Sequence, residues 1–444
     1  MNKSLIERDL EHIWHPCSQM KDYESFPPVE ITRAKGSCLY TADGQEIIDI
    51  ISSWWCKSLG HGHDKIQEAV RAQMDKFEHI ILANTTNTTI TELGELLAGF
   101  NPKLQKAFFA DSGSDAVEIA CKMSLQYHKI TGQGEKTEFL ALENGYHGET
   151  LLTLALGDCE LYTQHYKSIM PNVPKISGIP YCTGEDDPIW HNCSKFWPNI
   201  EAQLDKLAET TSAILVEPLI QGAGGMLIYS ADFLKRLSEY CTKNGVHLIA
   251  DEIMTGFGRA GSFMACDYAG ITPDFAVFSK GLTGGFLPMS VSLTSNKIFD
   301  AFYADYNSHK AFMHSHTHCG NALAAASAVA AIKVYQEEDT FAHVRKNGKK
   351  LKQGLEKIAK ATGHLTNIRQ LGYVASADLI DKDGNAYPGD ERLGYQIYQE
   401  AVKQGLLLRP LGNSLYFLPP LNTSDELLEK AFQITEEAIK KVLD

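Results

Sequence analysis

The sequence predicts an α/β protein: a large domain on a mostly parallel sheet, with a smaller α+β domain beside it. Two patterns carry this. From about Lys57 to Gln336, short apolar runs (Ala107–Ala110, Phe139–Leu142, Ala213–Glu217, Val246–Ala250, Phe275–Phe278) alternate with helical lengths of chain. Runs of that kind are strands of a sheet covered on both faces. After the Ala-rich helix that follows Asn321, the chain becomes Lys/Glu-rich and amphipathic, with strand-like Tyr373-Val-Ala and Leu415–Leu418. Upstream, aromatics and prolines (Trp14, Pro16, Phe26, Pro27, Pro28) precede an alternating run from Cys38, where Asp43-Gly44 marks a hairpin turn. The expected division is a segment 1–56 packing with the small domain, a large domain 57–336 and a small domain 337–444.

Composition excludes several classes of function. A chain of 444 residues, 44% apolar and 22% charged, is globular and large enough for two or three domains. Its 41 basic and 55 acidic residues give a net charge of −14 with no long Lys/Arg run, which argues against a nucleic-acid partner. Met1–His15 is charged and lacks the apolar core of a secretory signal. The apolar run Ala322–Ile332 falls short of the ~20 residues that a membrane-spanning helix needs. No membrane association and a cytoplasmic location are expected. The ten cysteines include no CxxC pair and read as reduced thiols.

Three places could carry chemistry. Asp111-Ser112-Gly113-Ser114 follows a strand and opens a helix, so free N–H groups and hydroxyls make an anion site. A plain serine cap after a tight turn is the competing reading. Asn144–Gly148 lies at a strand's carboxyl end, where Tyr146 could stack on a flat ligand or simply pack. Asp251 and Lys280 each end an apolar strand, so adjacent parallel strands would bring both side chains to one crevice. A lysine that loses its proton easily attacks an aldehyde, and a carboxylate can keep a pyridine nitrogen protonated. An anion site, a stacking ring, a carboxylate and a lysine together suggest pyridoxal phosphate.

With those residues in view, the sequence resembles the class III aminotransferases of fold type I over essentially the whole chain. Ile249–Arg259 and Phe278–Gly285 are specific for that family. Further matches are Ile13–Pro16, Ser52–Trp55, Gly145–Gly148, Gln221–Gly225, Leu408–Gly412 and Leu418–Pro420. The resemblance implies that Lys280 bonds the cofactor aldehyde and moves the substrate proton, and that Asp251 pairs with the pyridine nitrogen. It implies that Gly113 and Ser114 bind phosphate, with His316 and Thr317 reaching in from the other subunit of a homodimer with shared active sites. Tyr146 and Ile253 would flank the ring. Trp54, Tyr146, Lys280, Ser315 and Arg409 would line the small-molecule substrate site, Arg409 taking a substrate carboxylate.

The branch with these motifs implies ping-pong transfer from S-adenosylmethionine to 8-amino-7-oxononanoate, in biotin biosynthesis. Lysine is the competing donor, and an ω-amine or diamine transaminase the competing enzyme. Ala223 stands where many relatives that act on ornithine, acetylornithine or 4-aminobutyrate carry a Glu, which disfavours the 2-oxoglutarate-dependent branch. Two departures touch the donor pocket: Cys17 replaces the usual Tyr, and His314-Ser-His-Thr317 replaces His-Gly-Pro-Thr. The alternating histidines His314, His316 and His318, with His61 and His63, also prompt a metal-site reading. Their spacing is not that of a zinc-binding helix, and no metal is expected.

Overall fold

The computed structural model describes residues 3–444. A seven-stranded sheet forms its centre, in the order 106–110, 290–294, 275–278, 247–251, 211–216, 138–142, 175–176. All five predicted runs are strands. His247–Asp251 pairs in parallel with Phe275–Phe278 on one side and Thr211–Val216 on the other. The sheet is mixed, because Ser290–Thr294 runs antiparallel to both its neighbours. It is not among the five apolar runs, because serines interrupt it. Instead, Ser290 and Ser292 point at the helix start, donating to the carbonyls of Ser112 (2.6 Å) and Ala116 (2.7 Å).

Each face of the sheet has its own apolar cluster, fed by alternate strand residues. On one face lies the helix Gly113–Ile130, where Ala116, Val117, Ala120 and Met123 pack on Ala141, Leu215, Ile249 and Val277. Small residues let helix and sheet approach closely. Ser112 caps this helix in a capping box with Asp115, worth roughly 1 kcal/mol. The opposite face holds the helices Ala231–Asn244 and Ala322–Glu337. The second is buried nearly all round, and its Tyr335 hydroxyl donates to Gly281 O at 2.7 Å, which ties it to the turn after Lys280.

The predicted hairpin exists: Cys38–Thr41 pairs antiparallel with Glu46–Asp49. Glu46–Asp49 in turn pairs in parallel with Leu406–Leu407, joining the two ends of the chain. Leu365–Leu371, Val374–Leu379 and Ser414–Phe417 form a separate antiparallel sheet, against which the helix Lys349–Thr362 packs. Arg259 is buried and donates to Pro419 O (2.7 Å) and Tyr373 O (3.2 Å). Among the described residues, no helix is long and apolar enough to cross a membrane. All ten cysteines are free.

One buried group predicts acid sensitivity. His247 begins a central strand, its Nδ1 at 2.8 Å from Ser124 Oγ and its ring 4.4 Å from that of His128. Burial pushes it down to about 3, helped by the positive charge of His128, Lys297 and Lys136. The native ring stays neutral, whereas the unfolded chain takes up a proton below about pH 6.5. Stability is therefore flat above that pH and falls by about 1.4 kcal/mol per unit below it, down towards the native value. Across pH 7.5 to 5 the melting temperature of wild type should drop faster than that of His247→Gln; parallel curves would reject this.

Candidate active site

The carboxyl ends of the parallel strands meet at one edge, and those ending near Leu142, Val216, Asp251 and Phe278 lead to polar residues in one open cleft. Lys280 follows Phe275–Phe278 and starts a single 3-10 turn with φ 41, a left-handed value that is strained for a lysine. Its amine lies 4.8 Å from the centre of the Trp55 ring. Burial lowers its pKa, with Asp251 and Glu217 opposing the shift. A neutral amine, the nucleophilic form, is thereby made more accessible.

Asp251, one strand away, is buried, with Oδ2 at 2.9 Å from His147 Nδ1 and Oδ1 accepting the Ile253 N–H. The carboxylate is thus held in one orientation. His147 is buried as well, and its Nε2 has no partner. Beside it, Glu217 accepts the N–H groups of Tyr146 and Gly222, both at 2.9 Å. Burial pushes Glu217 up to about 7, against His147 and the two N–H bonds and with Asp251 adding to the rise.

The helix Gly113–Ile130 starts in the same cleft, giving unpaired N–H groups and the positive end of its dipole. Ser114 Oγ accepts the Glu149 N–H at 3.2 Å. The backbone here is bare for a reason. A Cβ on Gly113 would lie 2.8 Å from Ile253 Cδ1, and one on Gly148 (φ +128) would collide with Ser114 Oγ. A glycine cradle at a helix start, a fixed carboxylate and a deep amine in one cleft fit a phosphorylated pyridine aldehyde.

At the mouth, the Arg409 guanidinium lies 4.2 Å from the centre of the Trp54 ring, and among the described residues no carboxylate pairs with it. Tyr146 donates its hydroxyl to Glu149 Oε1 at 3.0 Å and its ring neighbours that of Tyr162 at 5.7 Å. Burial raises the Tyr162 hydroxyl to about 12, with Cys17 alongside it as a further cause. Cys17 is exposed and sits at φ 48.

The cleft brings together Trp54, Gly113, Ser114, Tyr146, Asp251, Ile253, Lys280 and Arg409. Ser315, His316 and Thr317 do not line it within one chain. His316 Nδ1 is 3.5 Å from Asp115 Oδ2, and Thr317 O accepts from His79 Nε2. The other histidines turn to separate partners: His314 to Lys122 (2.9 Å) and His61 to Asp49 (2.8 Å). No group of three His, Cys, Asp or Glu side chains that could hold a metal ion occurs among the described residues. Sequence reasoning passed over His147, Glu149, Tyr162 and Glu217. Glu217 carried the signal used for Asp251 and Lys280, a charge at the end of an apolar strand.

A mixed α/β sheet with a lysine, a carboxylate and a helix start at one edge defines a transaminase-type fold. The family described as aminotransferase class-III matches residues 19–439. The chain belongs to this family. It is 37% identical to the adenosylmethionine-8-amino-7-oxononanoate aminotransferase of Helicobacter pylori, covering 97% of this chain and 96% of that protein. The Aquifex aeolicus enzyme of the same name is 34% identical, with 99% and 98% covered. Among solved structures, the enzyme of that name from Methanocaldococcus jannaschii aligns with a TM-score of 0.91 at 30% identity, covering 99% of both chains. An amine transaminase from an uncultivated Pseudomonas species, in its PLP-bound form, aligns at 0.90 with 28% identity, covering 97% and 99%.

Proposed function

We propose that this aminotransferase moves an amino group from S-adenosylmethionine to 8-amino-7-oxononanoate, giving 7,8-diaminononanoate for biotin biosynthesis. The observation that carries the reading is Arg409, an uncompensated guanidinium beside Trp54 at the mouth of the cleft that holds Lys280. It suits an acceptor with a carboxylate at one end and a ketone further along the chain. Relatives named for this reaction at 34–37% identity support it.

The cofactor is pyridoxal phosphate, which when bound supplies an aldehyde for amine exchange and a ring that delocalises electrons. The chain's own residues do the rest. Ser114 and the N–H groups at the helix start hold the phosphate, and Ile253 and Tyr146 flank the ring. Asp251, oriented by His147, holds the proton on the pyridine nitrogen. Lys280 Nζ takes the proton from the donor's α-carbon and returns it during amination of the acceptor, a shuttle favoured by its lowered pKa. Arg409 binds the acceptor carboxylate, and Trp54 and Tyr162 exclude water from the mouth. Donor and acceptor use the same cleft in turn, a ping-pong sequence.

The working unit is a homodimer with shared sites. Trp14, Tyr306 and Met313 are each more than 85% exposed in the single chain, large apolar side chains of the kind a second copy would cover. His316 and Thr317 would then complete the neighbouring site, with Ser315 near its substrate. The parts are the segment 1–56, a large domain 57–336 and a small domain 337–444, in the cytoplasm.

The test pairs donor and acceptor. Purified enzyme with 8-amino-7-oxononanoate should turn over with S-adenosylmethionine; turnover with lysine alone would move the donor assignment to lysine. Activity only on simple ω-amines would reject the acceptor. Arg409→Ala should raise the KM for 8-amino-7-oxononanoate by roughly 30- to 150-fold, the loss of a charged bidentate pair worth about 2–3 kcal/mol. An unchanged KM would remove Arg409 from carboxylate binding.

A further inference from the structure

The turn carrying Trp54 and Trp55 is among the most strained in the chain. Ser52 (φ 52), Ser53 (φ 59) and Trp55 (φ 63) all lie in the left-handed region without a glycine among them. Such a turn persists only where its surroundings over-determine it. The surroundings here converge on one buried carboxylate. Ser53 N–H donates to both oxygens of Asp49 (2.9 and 2.7 Å), Ser53 Oγ donates to Oδ2 (3.2 Å), and Ile51 N–H donates to Oδ1 (3.3 Å). His61 Nε2 reaches the same Oδ2 at 2.8 Å.

His61 is itself pinned. Its N–H and carbonyl exchange hydrogen bonds with Gly36 (2.7 and 2.9 Å), and it is buried with Asp49, which is fully inaccessible. From the far side, the Ser52 hydroxyl donates to Leu418 O at 2.7 Å. Both rings are aimed as a result. Trp55 Nε1 donates to the Tyr416 hydroxyl (2.9 Å) while its face meets Lys280, and Trp54 faces Arg409.

We infer that Asp49, braced by His61, is a positioning residue for the acceptor site, holding the strained turn that sets Trp54 against Arg409. The inference rests on the reading of Arg409 as the acceptor's carboxylate partner. Neither Asp49 nor His61 lines the cleft, so any effect on substrate passes through the turn. The carboxylate is needed because it accepts the Ile51 and Ser53 N–H groups at the start of the turn, while the Trp55 and Cys56 N–H groups turn to the carbonyls of Ile51 and Ser52.

The experiment compares Asp49→Asn, His61→Leu and His61→Gln with wild type. An amide offers one acceptor oxygen in place of two, so Asp49→Asn should raise the KM for 8-amino-7-oxononanoate about tenfold with kcat held within about threefold. His61→Leu should act in the same direction, and His61→Gln, which keeps a donor, should restore the KM to near wild type. The protein without added cofactor gives a second readout: tryptophan emission should shift to the red in Asp49→Asn and His61→Leu but not in His61→Gln. An unchanged KM and emission in folded Asp49→Asn would overturn the inference, as would kcat and melting temperature falling together with no change in KM. Should Asp49→Asn fail to fold, the His61 pair decides on the same terms. Arg409→Ala run in parallel separates the two ideas. If it raises KM and the turn variants do not, the inference falls alone; if it leaves KM unchanged, the Arg409 reading falls first.

Discussion

Lys280→Ala should abolish turnover, by ~10⁴-fold or more, because one amine acts as both nucleophile and proton shuttle and the two losses compound. The position of the lysine explains the size of the effect. Its amine sits deep in the cleft over Trp55, with a lowered pKa and with Asp251 one strand away. No other lysine lines the cleft to take its place. The fold should survive, since the turn is held by Tyr335 through Gly281 O and by the Ser279 hydroxyl on Met289 O (2.8 Å). Removing a left-handed lysine also removes little native packing. Steady-state activity together with melting temperature checks both halves. Residual activity within a hundredfold of wild type would assign the shuttle to another base.

Asp251→Asn should cost ~10³-fold in kcat, with a smaller change in KM. Asparagine keeps the shape and the hydrogen bond to His147 but offers no charge to hold a proton on a pyridine nitrogen, and the ring then draws electrons poorly. His147 Nε2 has no partner in the structure, so the histidine cannot supply the missing charge without a buried cation of its own. The cofactor should still bind, since the helix start and glycine cradle are untouched. Single-turnover rates with the donor alone isolate the step. A loss under tenfold would show that the ring is protonated by some other route.

Much of this was legible in the sequence, for physical reasons that differ by element. Strands such as Ala213–Val216 announce themselves because both faces are covered and no polar position interrupts the run. Ser290–Thr294 does not, because its serines spend their hydroxyls on helix carbonyls, a pairing that spacing cannot reveal. Asp251 and Lys280 are visible as charges stranded at the ends of apolar runs. Their supporting partners are less so: His147 reaches Asp251 across 104 residues, and Asp49 reaches His61 only after a hairpin and a tight turn have formed. Arg409 was readable through the motif around it, but not its face-on contact with Trp54, which depends on a backbone that serines and tryptophans rarely adopt. Ser315, His316 and Thr317 lie outside the cleft of a single chain, so the motif that marks them has no counterpart in its geometry.

The parallel pairing of Glu46–Asp49 with Leu406–Leu407 bears on how the molecule is made. A chain emerging from the ribosome has Asp49 and the Trp54–Trp55 turn long before the strand that completes their sheet exists. Closing a loop of that length is entropically slow, and no local contact substitutes for it. The central sheet can collapse while synthesis continues, but one wall of the cleft must wait for nearly the last tenth of the chain. Synthesis arrested before Leu406 therefore leaves a core without a working pocket, and catalytic competence arrives as one of the final events of folding.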